Sequence, residues 1–124
     1  MTGPPGRGIP FAMLIYKIFR ADEWQALVAT GETRGAPVDL ADGFIHFSTA
    51  TQAAETAAKH FAGAQDLILT AVDTAPLGDA LKWEVSRGGV EFPHLYRSLT
   101  LDDVAWHAPL PLADGQHQFP DRMT

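Results

Sequence analysis

Hydrophobic and polar positions alternate and cluster in a way that divides this chain into short, recognisable segments. Leu14-Ile15-Tyr16-Lys17-Ile18-Phe19 is a brief β-branched and aromatic run and predicts a strand. Asp22 is a candidate cap for the segment that follows. There Trp24, Leu27 and Val28 fall at i, i+3 and i+4 and predict one helical stripe, which Gly31 stops. Residues 32–42 hold Gly, Pro and several charges without a period and read as a long loop, a feature that often lines a site. Gly43-Phe44-Ile45-His46-Phe47-Ser48 predicts a second strand. Thr49 with Gln52 three residues on has the capping-box form, and Ala50, Ala53, Ala54, Ala57, Ala58 and Phe61 give the next helix a small-residue face, with Gly63 as its end.

Further along, residues 67–72 are continuously apolar, as a central strand requires. Residues 73–79, with Pro76 and Gly78, form a turn. Leu81, Trp83 and Val85 alternate with Lys82, Glu84 and Ser86, so the two sets occupy opposite faces of one strand. Arg87-Gly88-Gly89 predicts a hairpin turn into a strand over 90–92, which Pro93 interrupts. Leu101-Asp102-Asp103 predicts one helical turn, and Val104, Trp106 and Ala108 alternate in a last strand. From Pro109 onward three prolines predict irregular chain. The expected fold is α+β: a small split β-sheet domain of about six strands with two main helices. The expected organisation is a flexible lead-in over 1–12, one domain over 13–119 and a tail over 120–124.

Composition narrows the function. The chain has 124 residues, 46% of them hydrophobic, which is enough for one core without staples. It has no cysteine, which removes disulfides, thiolate nucleophiles and cysteine zinc sites and suits a reducing, cytoplasmic setting. A net charge of −6 with scattered basic residues disfavours nucleic acid as a partner. No apolar run reaches the ~20 residues of a membrane span, so no membrane partner is expected. The sequence is silent on oligomeric state.

The candidate chemistry sits in GFIHFST, residues 43–49. In a strand, His46 and Ser48 share a face, roughly 7 Å apart by two strand rises. An imidazole and a hydroxyl on a core-facing surface need partners or lose about 1–3 kcal/mol each. They are therefore either satisfied within the core or exposed to a cleft. Thr49 is either a helix cap or a neighbour in the same site. Glu84 is either a solvated strand residue or a functional carboxylate. His94 and Tyr96 either pack around Pro93 or line the site.

GFIHFST, the aliphatic strand over 67–72, Leu81-Lys82-Trp83-Glu84 and Phe92-Pro93-His94-Leu95-Tyr96 together resemble a bacterial family catalogued as domain of unknown function 952. The resemblance covers residues 14 to 119. That family is in turn similar to a divergent ADP-ribosyltransferase-like fold, and this implies a cleft that holds NAD. In that reading His46 and Ser48 contact the nicotinamide ribose, Thr49 and His94 line the cleft, and Tyr96 or Trp83 stacks on the nicotinamide. Glu84 steadies the developing oxocarbenium ion, and Arg97 pairs with the pyrophosphate. His46 and Glu84 are then the catalytic candidates, and no metal is implied. Phe47 stands where the wider superfamily often has Gly, which narrows the slot. A noncatalytic nucleotide or small-metabolite binding module is the alternative. A two-His, one-carboxylate metal set of His46, His94 and Glu84 lacks a local metal motif.

Overall fold

A computed structural model of the chain describes residues 13–123. The lead-in expected over 1–12 lies outside these residues. The architecture is α+β, with all sheet pairings antiparallel. The apolar run LILTAV becomes β4 (Leu67–Asp73) and takes the centre of a three-stranded sheet, between β1 (Leu14–Phe19) and β8 (Val104–Leu110). β1 is covered on both faces. Ile15 and Phe19 enter one core cluster with Leu27, Ile45, Phe47 and Leu95, while Tyr16 and Ile18 enter another with Ala57, Leu69 and Leu110.

Two helices arise as the pattern predicts. α1 (Ala21–Thr30) ends at Gly31, whose φ of 86° suits a residue without a side chain. Its cap is Arg20 rather than Asp22: the Glu23 carboxylate reaches back to accept from the Arg20 backbone N–H at 2.9 Å, leaving Asp22 inside the first turn. α3 (Ala50–His60) carries the expected capping box. Thr49 Oγ1 accepts from the Gln52 N–H at 3.2 Å, and Gln52 Oε1 accepts from the Thr49 N–H at 3.0 Å. Ala53 and Ala57 are buried on its inner side. The helix ends at His60 and not at Gly63.

The segment over 32–42 departs from its expectation as a loop. Glu32–Thr33 form β2, paired with β7 (Leu99–Thr100), and Pro37–Asp42 form a third helix, α2. Six residues are too few to show a period. The signals are local instead: Pro37 opens the helix, Asp39 accepts from the Ala36 N–H at 2.7 Å, and Gly43 at φ 84° closes it. The tail also differs. β9 (Leu112–Ala113) and β10 (Gln116–His117) make a tight hairpin, and Phe119 and Met123 pack on the second core cluster. The described residues thus hold ten short strands where about six were expected.

The second three-stranded sheet holds β6 (Glu91–Leu95) between β3 (Ile45–His46) and β5 (Leu81–Val85). β6 runs straight through Pro93, which was expected to interrupt it. A strand residue directs its N–H and C=O to the same side. The Pro93 carbonyl accepts from Phe47 on the β3 side, so the missing donor also faces β3 and the ladder to β5 stays whole. β3 leaves β6 at this point. Two residues after His46, Ser48 exchanges backbone bonds of 2.7 and 2.8 Å with Tyr16 of β1. One short segment therefore belongs to both sheets, and the sheets part on either side of it. Among the described residues no helix is long and apolar enough to cross a membrane.

Replacing Thr49 by Ala removes the side-chain half of the α3 cap. The expected loss is about 1 kcal/mol, read as a lower urea midpoint with an unchanged m-value.

Candidate functional site

His46 and Ser48 project from the face of their segment opposite Ile45 and Phe47, which are buried in the core. They line a cavity of about 600 Å³ at the split between the sheets. Arg20, Asp42, Thr56 and Phe92 contribute to its other walls. Ser48 is buried, with its hydroxyl 2.8 Å from that of Thr56 on α3.

Behind His46 stands a carboxylate with no solvent-exposed side-chain surface. Asp39 receives four hydrogen bonds: from Lys17 Nζ at 2.8 Å, the Ala36 N–H at 2.7 Å, the His46 N–H at 3.1 Å and His46 Nδ1 at 2.6 Å. Burial pushes its carboxyl upward, but the His46 hydrogen bond and the Lys17 charge outweigh that and hold it at about 2. Lys17 is itself 8% exposed and comes from the middle of β1. An ionised carboxylate only accepts, so the proton of this His46 contact lies on Nδ1. The other ring nitrogen, Nε2, lies 2.9 Å from Asp42 Oδ2. The chain packs closely here: at Gly35, φ 101°, an added Cβ would collide with the Asp39 side chain.

Glu84, His94 and Tyr96 form a second group on the neighbouring strands. Glu84 Oε1 accepts from His94 Nδ1 at 2.8 Å and from the Tyr96 hydroxyl at 2.7 Å. The Tyr96 bond, then the His94 bond, lower the Glu84 carboxyl below its ordinary value, and the same contact raises the Tyr96 phenol. His94 lies directly across from His46 in the β3–β6 pairing, with ring centroids 5.3 Å apart. The Phe44 ring covers both, at 4.2 Å from His94 and 4.6 Å from His46.

The proposed site residues therefore divide. His46 and Ser48 reach the cavity. Glu84, His94 and Tyr96 come together beside them but do not line it. Thr49 is used as a helix cap. Arg97 stands elsewhere: its guanidinium grips Asp103 through two bonds of 2.9 and 3.1 Å and also donates to the Ser98 carbonyl. Trp83 is on the opposite face of β5 from Glu84. Among the described residues no group of three or more His, Asp or Glu side chains is arranged to hold a metal.

The sequence model of a family described as a protein of unknown function, DUF952, matches residues 18–107. The chain belongs to this family. It is similar to protein CC0527 from Caulobacter crescentus: the crystal structure is 57% identical, aligns over 85% of this chain and 93% of that one, and has a TM-score of 0.81. A double mutant of that protein aligns over the same shares at 55% identity and TM-score 0.81. Its solution structure aligns over 84% and 90% at 54% identity and TM-score 0.76. No curated protein matches the chain.

In this DUF952 protein, the residues that sequence reasoning missed are Lys17, Asp39 and Asp42 around His46, and Arg20, Thr56 and Phe92 on the cavity walls. A signal for the first was present, since a lone ammonium amid Ile15, Tyr16, Ile18 and Phe19 needs a buried counter-charge. Asp39, two residues after Pro37, reads as a helix-capping acid but gives no hint of its partners.

Stability should follow the Asp39 titration. Its folded value of about 2 lies below the ordinary 3.8, so folding favours the ionised form. The contribution, about 2 kcal/mol at most, is complete above pH ~4 and is lost as pH falls toward 2. Urea unfolding from pH 5 to 2 should show this slope, and Asp39→Asn should flatten it.

Proposed function

We propose that the cavity binds a nucleotide of the NAD class. The observation that carries this reading is the joint projection of His46 and Ser48 into a space of about 600 Å³ where the two sheets separate. That volume lies within the range of small-molecule sites. The remaining walls are of the kinds such a ligand needs. Phe92 offers an aromatic surface, Arg20 a guanidinium, and Thr56 with Ser48 a pair of hydroxyls. His46 presents a ring edge whose orientation is fixed from behind by Asp39. The order His46-Phe47-Ser48 at the cavity wall is the form that the likeness to ADP-ribosyltransferase-like proteins implies for ribose contact.

Binding is the part of that reading which the geometry supports best. NAD, when bound, supplies an ADP-ribosyl group. The carboxylate suited to steady the departing sugar, Glu84, lies across from Phe92 in the β5–β6 pairing, yet its oxygen is held by His94 and Tyr96. Its place on the same sheet face as His46 and Phe92 keeps transfer as a second reading. That reading requires Glu84 to exchange those bonds for a ligand.

Calorimetric titration with NAD separates these. Wild-type protein should bind, and His46→Ala should bind about tenfold more weakly, the scale of one lost hydrogen bond of about 1.4 kcal/mol. Equal affinity of the two proteins, or no heat at millimolar NAD, would overturn the assignment. Chromatography of the same mixtures for free nicotinamide decides whether the bond is cut. If it is, Glu84→Gln should slow release by about 10²–10³.

A further inference from the structure

His46 is gripped from both sides by carboxylates that stand three positions apart on one short helix, and the two grips are unlike. Asp39 has a side chain with no exposure and accepts from four donors on β1, β3 and Ala36, the residue before α2. Asp42 has a side chain that is 47% exposed, lines the cavity, and among the described residues meets one basic side chain, His46, through Nε2 at 2.9 Å. An exposed ion pair of this type contributes little, up to a few-fold in an equilibrium. The buried one cannot be released without leaving Lys17 as an uncompensated charge.

We propose that Asp42 is a displaceable stand-in for ligand. It covers the Nε2 edge of an imidazole that Asp39 positions from behind, and a hydrogen-bond-accepting group of the ligand takes its place. The geometry assigns a chemical class to that group. Nε2 faces a carboxylate oxygen in the free protein, so it serves as a donor there, and the incoming atom must be an acceptor: a phosphate, carboxylate, carbonyl or hydroxyl oxygen. Asp42 then opposes binding, while Asp39 supports it by holding the ring. This rests on the reading that the cavity takes a ligand, and it adds that the two aspartates of one helix act in opposite directions. Asp39 is a positioning residue, since Nδ1 and not the cavity is its partner.

Inorganic phosphate is the simplest acceptor and tests the idea without NAD. Nitrogen-15 resonances of the His46 ring would be followed during phosphate titration. Asp42→Asn should reach half-saturation at roughly two- to fivefold lower phosphate than wild type. Asp39→Asn should lose the ring shift. If that variant unfolds, the double variant Lys17→Met/Asp39→Asn removes the stranded ammonium and serves instead. Glu23→Gln, which neutralises another carboxylate on the cavity wall, should change the midpoint less than Asp42→Asn. An unchanged or weaker midpoint in Asp42→Asn, an equal gain in Glu23→Gln, or a retained ring shift without Asp39 would each overturn the proposal. An NAD titration run alongside fails independently: phosphate response without NAD binding would sink the nucleotide reading and leave this one standing.

Discussion

A lysine and an aspartate twenty-two residues apart meet inside the protein, and that meeting ties together α2, β1 and β3, which carry the His46 side of the cavity. Asp39 takes a charge into a place without water, and moving such a group from water to the interior costs several kcal/mol even after relaxation. The Lys17 ammonium and three N–H groups offset this, and only together. Each comes from a different place: β1, the start of α2, and the backbone and ring of His46. The carboxylate can therefore be satisfied in one arrangement of α2, β1 and β3 and in no partly assembled one. Its contribution is to specificity of arrangement more than to net stability. It explains why a six-residue helix, far too short to persist alone, has a fixed place. Gly35 fits the same constraint, because the backbone approaches the Asp39 side chain where no Cβ has room.

The split between the sheets is a second consequence of backbone accounting. β3 could continue along β6 only if residue 93 had an N–H to offer, and Pro93 has none. After Phe47 the next residue, Ser48, directs its backbone groups to the other side, as strand alternation requires, and pairs with Tyr16 of β1. The segment His46-Phe47-Ser48 spans the transfer, and its outward side chains edge the cavity with partners at hand: His46 beside Phe44 and His94, Ser48 against the Thr56 hydroxyl. Polar residues are tolerated there for that reason. The histidine in GFIHFST is thus neither a buried core imidazole nor a freely solvated one. It is one-third exposed, with its inner nitrogen satisfied.

Much of this was legible in the sequence wherever the determinant was local. Alternation gave β5, an apolar run broken only by Thr70 gave β4, a hydroxyl with Gln three residues on gave the start of α3, and strand parity put His46 and Ser48 on one face. α2 and the final hairpin were illegible because neither runs long enough to repeat its period. Pro93 misled because proline's effect depends on which neighbour its missing donor faces. The carboxylate behind His46 was out of reach for a different reason. Contact between positions 17, 39 and 46 is a product of tertiary assembly, and only the misplaced lysine in an apolar strand hinted at it. Arg97 illustrates the converse. Its proximity in sequence to His94 and Tyr96 suggested a shared site, but beyond Leu95 the chain turns away and Asp103 offers a nearer, bidentate partner.

Two carboxylate–imidazole pairs now stand on adjacent strands, and their burial is inverted. In one, the carboxylate of Asp39 is wholly covered and the imidazole of His46 is 32% exposed. In the other, the imidazole of His94 is 6% exposed and the carboxylate of Glu84 is 39% exposed. Each imidazole uses Nδ1 toward its carboxylate. What each pair can show to a ligand is its exposed member, so the first offers a ring N–H and the second an oxygen acceptor. In the proposed nucleotide reading, these are the two kinds of group that a ribose with its attached phosphate would use. Phe44 lies across both imidazoles and packs on each ring. The division of labour is set by burial, and burial is set by which strand face the chain gives each residue. Both edges are engaged in the free protein, the donor by Asp42 and the acceptor by Tyr96.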